Sequence, residues 1–318
     1  MRSFIPALAT GVAIVAAAPA TAQNVGIATS NPGTLFHNIG TAVANAANEE
    51  GLGATIQPST SPNQYIPLVG SGGIEFGVAN LQEVNYGLEG VEWFEGEPSE
   101  DLRVVGLIMP LVAAIFVRED SEFHSIADLE GERMVDGYTA QQTILPQLDA
   151  MYATVGLTRD DFEAVNVSSV VAGADAFIEG DVAGFYFAHG AGKVREADSA
   201  VGGLRALPIE ASDENLALMQ EHWPVAYFEE LAQGEMPGVL EDAHFFAYPQ
   251  LVFTHAGVDD EIVHEMARIL HARTDVLADT FGPFARFDPE THLVGDTGVS
   301  EYHPGAIAYF EEAGLWQE

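Results

Sequence analysis

The sequence contains no cysteine, which excludes disulfides, iron–sulfur clusters and thiolate-bound zinc. It is nearly free of lysine, with Lys193 the single example. Lysine and arginine together number 11 against 48 aspartates and glutamates, a formal net charge of −37. A surface this acidic repels nucleic acid and anionic lipid, so no nucleic-acid partner is expected. It stays hydrated in concentrated salt, which predicts a saline working environment and says little about the substrate. The motifs G-x-S-x-G, H-E-x-x-H, G-x-G-x-x-G and the Walker loop are all missing. Gly190-Ala191-Gly192-Lys193-Val194 holds a G-K pair, but no Ser or Thr follows it. His264 and His271 are seven apart on one helical face. That is about 10 Å along the axis, too far to share an ion, so no metal site and no cofactor is expected. With no nucleophile–base spacing either, the chain reads as a non-enzyme.

What is present is a chain of 318 residues, 47% hydrophobic, long enough for about two domains with real cores. Residues 1–22 have the form of a secretory signal peptide. Arg2 supplies the positive start, Phe4 to Ala18 is uncharged and apolar, and Ala20-Thr21-Ala22 has small residues at a cleavage site. The apolar run is short of the ~20 residues a membrane span needs, and no cysteine offers a lipid anchor. A periplasmic location is expected, with cleavage after Ala22.

Strand and helix patterns then alternate. Asn24–Thr29, Ala54–Pro58 and Ile74–Ala79 read as strands, with helical spacing at Leu35, Ile39, Val43 and Ala46 and a short helix ending at Val69. Leu102–Val117 reads as buried strand broken at Pro110. Arg133–Asp136, Val165–Val167, Val182–Phe187 and Gln250–Thr254 read as further strands. Helices are expected from Ile144 to Val155, from Val170 to Ile178, and as one long helix from Asp259 to Phe281. Two βαβ blocks followed by a helical part indicate a two-lobed α/β protein with mostly parallel sheets.

Two strand–turn–helix junctions are rich in small polar residues. One is Thr29-Ser30-Asn31-Pro32-Gly33-Thr34, entering the Leu35 helix; the other is Gly137-Tyr138-Thr139-Ala140-Gln141, entering the Ile144 helix. Helix starts leave unpaired N–H groups and a partial positive charge, which suit a small carboxylate without help from lysine or arginine. Helix capping accounts for the same residue types.

Several segments carry a family likeness. Gly26-Ile27-Ala28-Thr29 through Gly33-Thr34-Leu35-Phe36-His37-Asn38-Ile39-Gly40 is similar to a glycine- and threonine-rich opening, with Phe36 and His37 in place of the usual aromatic and proline. Gly70–Gly77 leads to a polar strand tip at Asn80. Asp128-Leu129-Glu130-Gly131-Glu132-Arg133 has the form D-L-x-G-x-R. Asp181–Gly190 resembles an aromatic strand, from which Gly184 departs, and Tyr302-His303-Pro304-Gly305-Ala306 contains H-P-G-A. In this order the segments resemble the TAXI-type solute receptors of tripartite ATP-independent periplasmic (TRAP) transporters.

That resemblance implies an α/β fold of the type II periplasmic binding protein class, with two lobes joined by crossing strands near Pro110 and Tyr248-Pro249-Gln250. Lobe 1 would hold residues 23–110 and 250–318, and lobe 2 residues 111–249. It implies a receptor for a small organic anion or amino acid (a dicarboxylate, a 2-oxo acid or an acidic amino acid) that hands its solute to a TRAP permease. Thr34 and Thr139 would mark helix ends holding carboxylate oxygens, with Ser30, Phe36 and Gln141 beside them. Asn80 and Gln82 would donate side-chain hydrogen bonds. Tyr65, Tyr138 and Tyr186 would wall the site, and a protonated His189 would add a charged donor. Core packing competes for Tyr65 and Tyr186. Arg118, next to Glu119 and Asp120, reads as a solvent-facing strand end. A monomer is expected, because the charge disfavours association at low salt. A sensor feeding a signalling kinase, or an enzyme on the same scaffold, are the rival classes.

Overall fold

The computed structural model describes residues 24–316. The segment read as a signal peptide lies outside the described residues. Among the described residues no helix is long and apolar enough to cross a membrane.

The first sheet forms around β1 (Asn24–Thr29), β2 (Gly53–Pro58) and β3 (Phe76–Asn80), with β1 parallel to both neighbours. Helix α1 (Leu35–Glu49) crosses from β1 to β2, and α2 (Pro62–Gly70) from β2 to β3; α3 (Leu81–Glu89) then leaves β3. The apolar face of α1, with Ile39, Val43 and Ala46, is fully buried, as its three- and four-residue spacing requires. Gly40 sets how closely α1 approaches the sheet. A Cβ there would come within 2.2 Å of the Thr29 methyl. Strand β4 (Leu102–Leu107) closes the far side of this sheet through the later β12.

After Pro110 the chain enters the second sheet. It contains β5 (Leu111–Arg118), β6 (Arg133–Asp136), β7 (Glu163–Asn166), β8 (Gly184–Ala188), β9 (Leu204–Ala206), β10 (Tyr227–Leu231) and β11 (Ala243–Tyr248). Its helices are α4 (Leu145–Ala153), α5 (Val170–Glu179), α6 (Gly192–Val201) and α7 (Asp213–His222). β6 runs parallel to β7 and β8, whereas β5 pairs antiparallel with β8, β9 and β11. This lobe is therefore mixed rather than mostly parallel.

The chain crosses back at Tyr248-Pro249-Gln250. Strand β12 (Gln250–His255) inserts antiparallel between β3 and β4 of the first sheet. Helices α8 (Asp260–Ala272), α9 (Thr274–Thr280), α10 (Pro289–His292) and α11 (Pro304–Ala313) follow, with α8 and α9 packed on α1 and α11 on α8. The long helix expected over 259–281 is two helices. The chain bends at Arg273 (φ −112°, ψ 37°), so α9 turns to lie along α1. Arg273 is held there by ion pairs to Glu49, Glu50 and Asp275.

Candidate functional site

The two lobes face each other across a cavity at the carboxyl ends of β1 and β3, where ligands bind in open α/β sheets. The first lobe contributes Ser30, Thr34, Leu35, Phe36, Asn80 and Glu83; the second contributes Gln141, Ile144, Gln147, Val170, Tyr186 and Phe187. Ala188 and, beside the two chain crossings, Leu111 and Tyr248 complete it. The cavity offers about 40 Å³ of free space and is partly open to solvent.

The first-lobe wall begins with the turn into α1. Gly33 takes φ +92°, a left-handed conformation open to glycine at little strain, and this turns the chain so that Thr34 caps the helix. The Thr34 hydroxyl accepts from the His37 N–H at 3.3 Å. Among the described residues no acceptor meets the Leu35 and Phe36 N–H groups, which end a helix of 15 residues at the cavity wall. Beside them Ser30 is 1% exposed; its hydroxyl lies close to the buried Tyr65 hydroxyl, but among the described residues none meets it in hydrogen-bonding geometry.

The next part of this wall is the β3–α3 junction. Asn80 ends β3 and caps α3, accepting from the Glu83 N–H at 2.8 Å. Its side-chain amide donates to Glu83 Oε2. Glu83 is 1% exposed, and no cationic side chain pairs with it among the described residues. Burial pushes its carboxyl up to about 8, and the neighbouring Thr143 and Asn80 offset only part of that. The Thr143 hydroxyl lies close to Glu83 but outside hydrogen-bonding geometry.

The second lobe presents a tyrosine pair. Gln147, on α4, is anchored by its amide to the Thr143 carbonyl at 3.1 Å. Its Oε1 accepts from the Tyr248 hydroxyl at 2.8 Å and from the Tyr186 hydroxyl, and the two hydroxyls are 3.2 Å apart. Burial pushes the pKa of both tyrosines further up, so both stay neutral. Gln141 reaches across to the start of α5, where its Oε1 accepts from the Val170 N–H at 3.0 Å.

Of the residues expected from sequence, Ser30, Thr34, Phe36, Asn80, Gln141 and Tyr186 line this cavity, and Tyr65, Gln82, Tyr138, Thr139 and His189 do not. Tyr65 is buried behind Ser30, its hydroxyl donating to the Val78 carbonyl at 2.5 Å. Gln82 is buried on α3 away from the cavity. Tyr138 is a core residue with an unpartnered hydroxyl. Thr139 is exposed and does not begin a helix: its N–H donates to the Val167 carbonyl, a short 3₁₀ turn follows over Gln142–Ile144, and α4 starts only at Leu145. The second-lobe helix end at the cavity is therefore that of α5, at Val170.

His189 is corrected as a charged donor. It is wedged edge-on between Phe116 and Phe245, and burial pulls its pKa down to about 3, so the ring is neutral. It lines a smaller neighbouring cavity with Met109, Pro110, Met236, Pro283 and Arg286. Arg118 is exposed and pairs with Asp120, as its sequence neighbours indicated. Among the described residues no cluster of three or more His, Asp or Glu is placed to hold a metal ion.

Glu83, Gln147 and Tyr248 were not found from sequence. For Glu83 a signal existed, since Asn80-x-x-Glu83 is a capping-box spacing, but a capping glutamate is ordinarily solvated. Gln147 and Tyr248 are 101 residues apart and meet only through the fold.

Residues 27–314 match the NMT1-like family. The chain belongs to that family. Its two-lobed α/β fold is that of the periplasmic binding proteins. One similar solved structure is a periplasmic transporter, 12% identical, with a TM-score of 0.56 over 94% of this chain and 95% of that one. Another is PhnD1 from Prochlorococcus marinus in complex with methylphosphonate, 7% identical, with a TM-score of 0.55 over 93% of this chain and all of that one. At these identities the likeness speaks for the fold of this NMT1-like protein alone.

Proposed function

We propose that this protein is an exported, periplasmic receptor that captures a small carboxylate and delivers it to a TRAP-type permease. The observation that carries this reading is the α1 terminus. Two free N–H groups, from Leu35 and Phe36, and the unpartnered buried Ser30 hydroxyl meet at one cavity wall. Three donors beside a helix N-terminus suit an anion's oxygens, and the unpaired Ser30 hydroxyl is costly unless something completes it. The lobe of residues 23–110 and 250–318 closes on that of residues 111–249 by bending at Ile108–Pro110 and Tyr248–Gln250. Closure is favoured by contacts the solute makes with both lobes at once. A receptor returns its solute unchanged, and no nucleophile–base pair in the cavity argues for turnover.

The test is thermal melting of the mature chain in high salt against carboxylates, amino acids and sugars, since binding to the folded state raises the melting temperature. A shift with one carboxylate class supports the reading. A shift with a sugar or a purely cationic solute, and none with acids, overturns it. The permease assignment is tested by uptake in proteoliposomes, which must follow an imposed ion gradient and proceed without ATP.

A further inference from the structure

We infer that Glu83 is a solute-binding residue that acts as a neutral acid, donating a hydrogen bond to the solute's carboxylate, so that capture of the anion is linked to a proton. The inference rests on the carboxylate reading and adds to it a residue and a pH dependence. Among the described residues Glu83 is the one ionisable acid or base other than tyrosine on the cavity wall. Its Oε2 accepts from the Asn80 amide, and the Thr143 hydroxyl lies close to the carboxyl but outside hydrogen-bonding geometry. The titratable groups that face it are Tyr65 on α2, Tyr186 on β8 and Tyr248 on β11, all buried phenols that stay neutral. The remaining neighbours are the uncharged Asn80 and Thr143.

An ionised Glu83 and a solute carboxylate at the same cavity would repel each other, because no cationic side chain lines it among the described residues. A protonated Glu83 removes the repulsion and turns Oε1 into a donor. Burial alone already moves Glu83 part of the way there, since its carboxyl titrates near 8. At neutral pH the acid is mostly in the donating form before any solute arrives. Above that range the solute has to bring a proton in with it.

The experiment uses pyruvate, succinate and L-glutamate as probes of the mature wild-type protein, by calorimetric titration at pH 8 in two buffers of different ionisation enthalpy. Uptake of about half a proton per bound anion is expected at pH 8, with affinity falling up to about tenfold per pH unit above that. In Glu83→Gln the affinity, whatever its absolute value, is expected to be flat from pH 7 to 9. Proton release would overturn the inference, because it means an ionised Glu83 pairing with a cationic group of the solute. Binding with no proton change, or a pH slope that persists in Glu83→Gln, would overturn it too. In those cases the carboxylate reading stands. If none of the three probes binds at pH 6 to 9, that reading fails and this inference with it. The wild-type proton count does not depend on how the variant folds.

Discussion

The Tyr248 hydroxyl donates to Gln147 Oε1 at 2.8 Å, tying the end of β11, where the chain crosses between lobes, to helix α4. The same oxygen accepts from Tyr186, so one amide orients both phenols on the second-lobe wall. Removing it by Gln147→Leu leaves two buried hydroxyls with only each other. Each such loss costs about 1–3 kcal/mol. A lower melting temperature and weaker solute binding are expected together, and Gln147→Glu, which retains acceptor oxygens, is expected to recover part of the stability.

Ser30 and Thr34 are expected to respond in opposite ways. Thr34 caps α1, so Thr34→Ala is expected to lower stability by about 1 kcal/mol. The Ser30 hydroxyl has no partner to lose, so Ser30→Ala is expected to leave the melting temperature of the solute-free protein unchanged or slightly raised. Its solute affinity is expected to fall about tenfold, the loss of one hydrogen bond to a charged group. Denaturant melts paired with titration calorimetry separate the two effects.

Stability is expected to vary with pH in two opposing windows. Glu83 titrates near 8 folded against an ordinary 4.5, so the folded chain binds the extra proton between these values. Its contribution is fully present below about 4.5 and is lost as pH rises towards 8. His189 titrates near 3 folded against 6.5, so its contribution is present above 6.5 and is lost as pH falls towards 3. Glu83→Gln is expected to flatten the alkaline limb of a melting-temperature profile, and His189→Phe the acid limb.

Arg286 links the lobes on the side of the smaller cavity. It sits in a turn over Gly282–Arg286 that packs on α9, and it pairs with Glu229 of β10 and, at 2.8 Å, with Glu235 beyond it. Opening of the lobes is expected to break these contacts. Half-buried ion pairs of this kind are worth about 1 kcal/mol, so Arg286→Gln is expected to weaken solute affinity about fivefold. Small-angle scattering is expected to show a larger radius of gyration for the variant at subsaturating solute. An unchanged radius and affinity would show that the Arg286 pairs do not hold the lobes together.

Much of the first lobe was legible because its signals are local. Apolar residues at spacings of three and four along α1, and the turn residues Ser30 to Thr34, determine a strand, a cap and a helix between Asn24 and Glu49. The second lobe was harder. Strands β9, β10 and β11 carry no clear alternation, since Glu229 and Glu230 sit inside β10, which is defined by its antiparallel partner β11. Thr139 illustrates the same limit: a glycine–threonine turn is compatible with a helix start, but the backbone there pairs with Val167 instead.

The sequence by itself determined the acidic, cysteine-free chemistry of the chain, the alternation of strands and helices, and the polar helix start at Thr34. These follow from composition and from patterns a few residues long. Only the tertiary structure decided that Glu83 is buried at the cavity, that Gln147 gathers Tyr186 and Tyr248, that α5 rather than the Thr139 turn supplies the second helix end, and that His189 is neutral. Each of these depends on desolvation or on contact between residues far apart in the chain, and no local pattern encodes either.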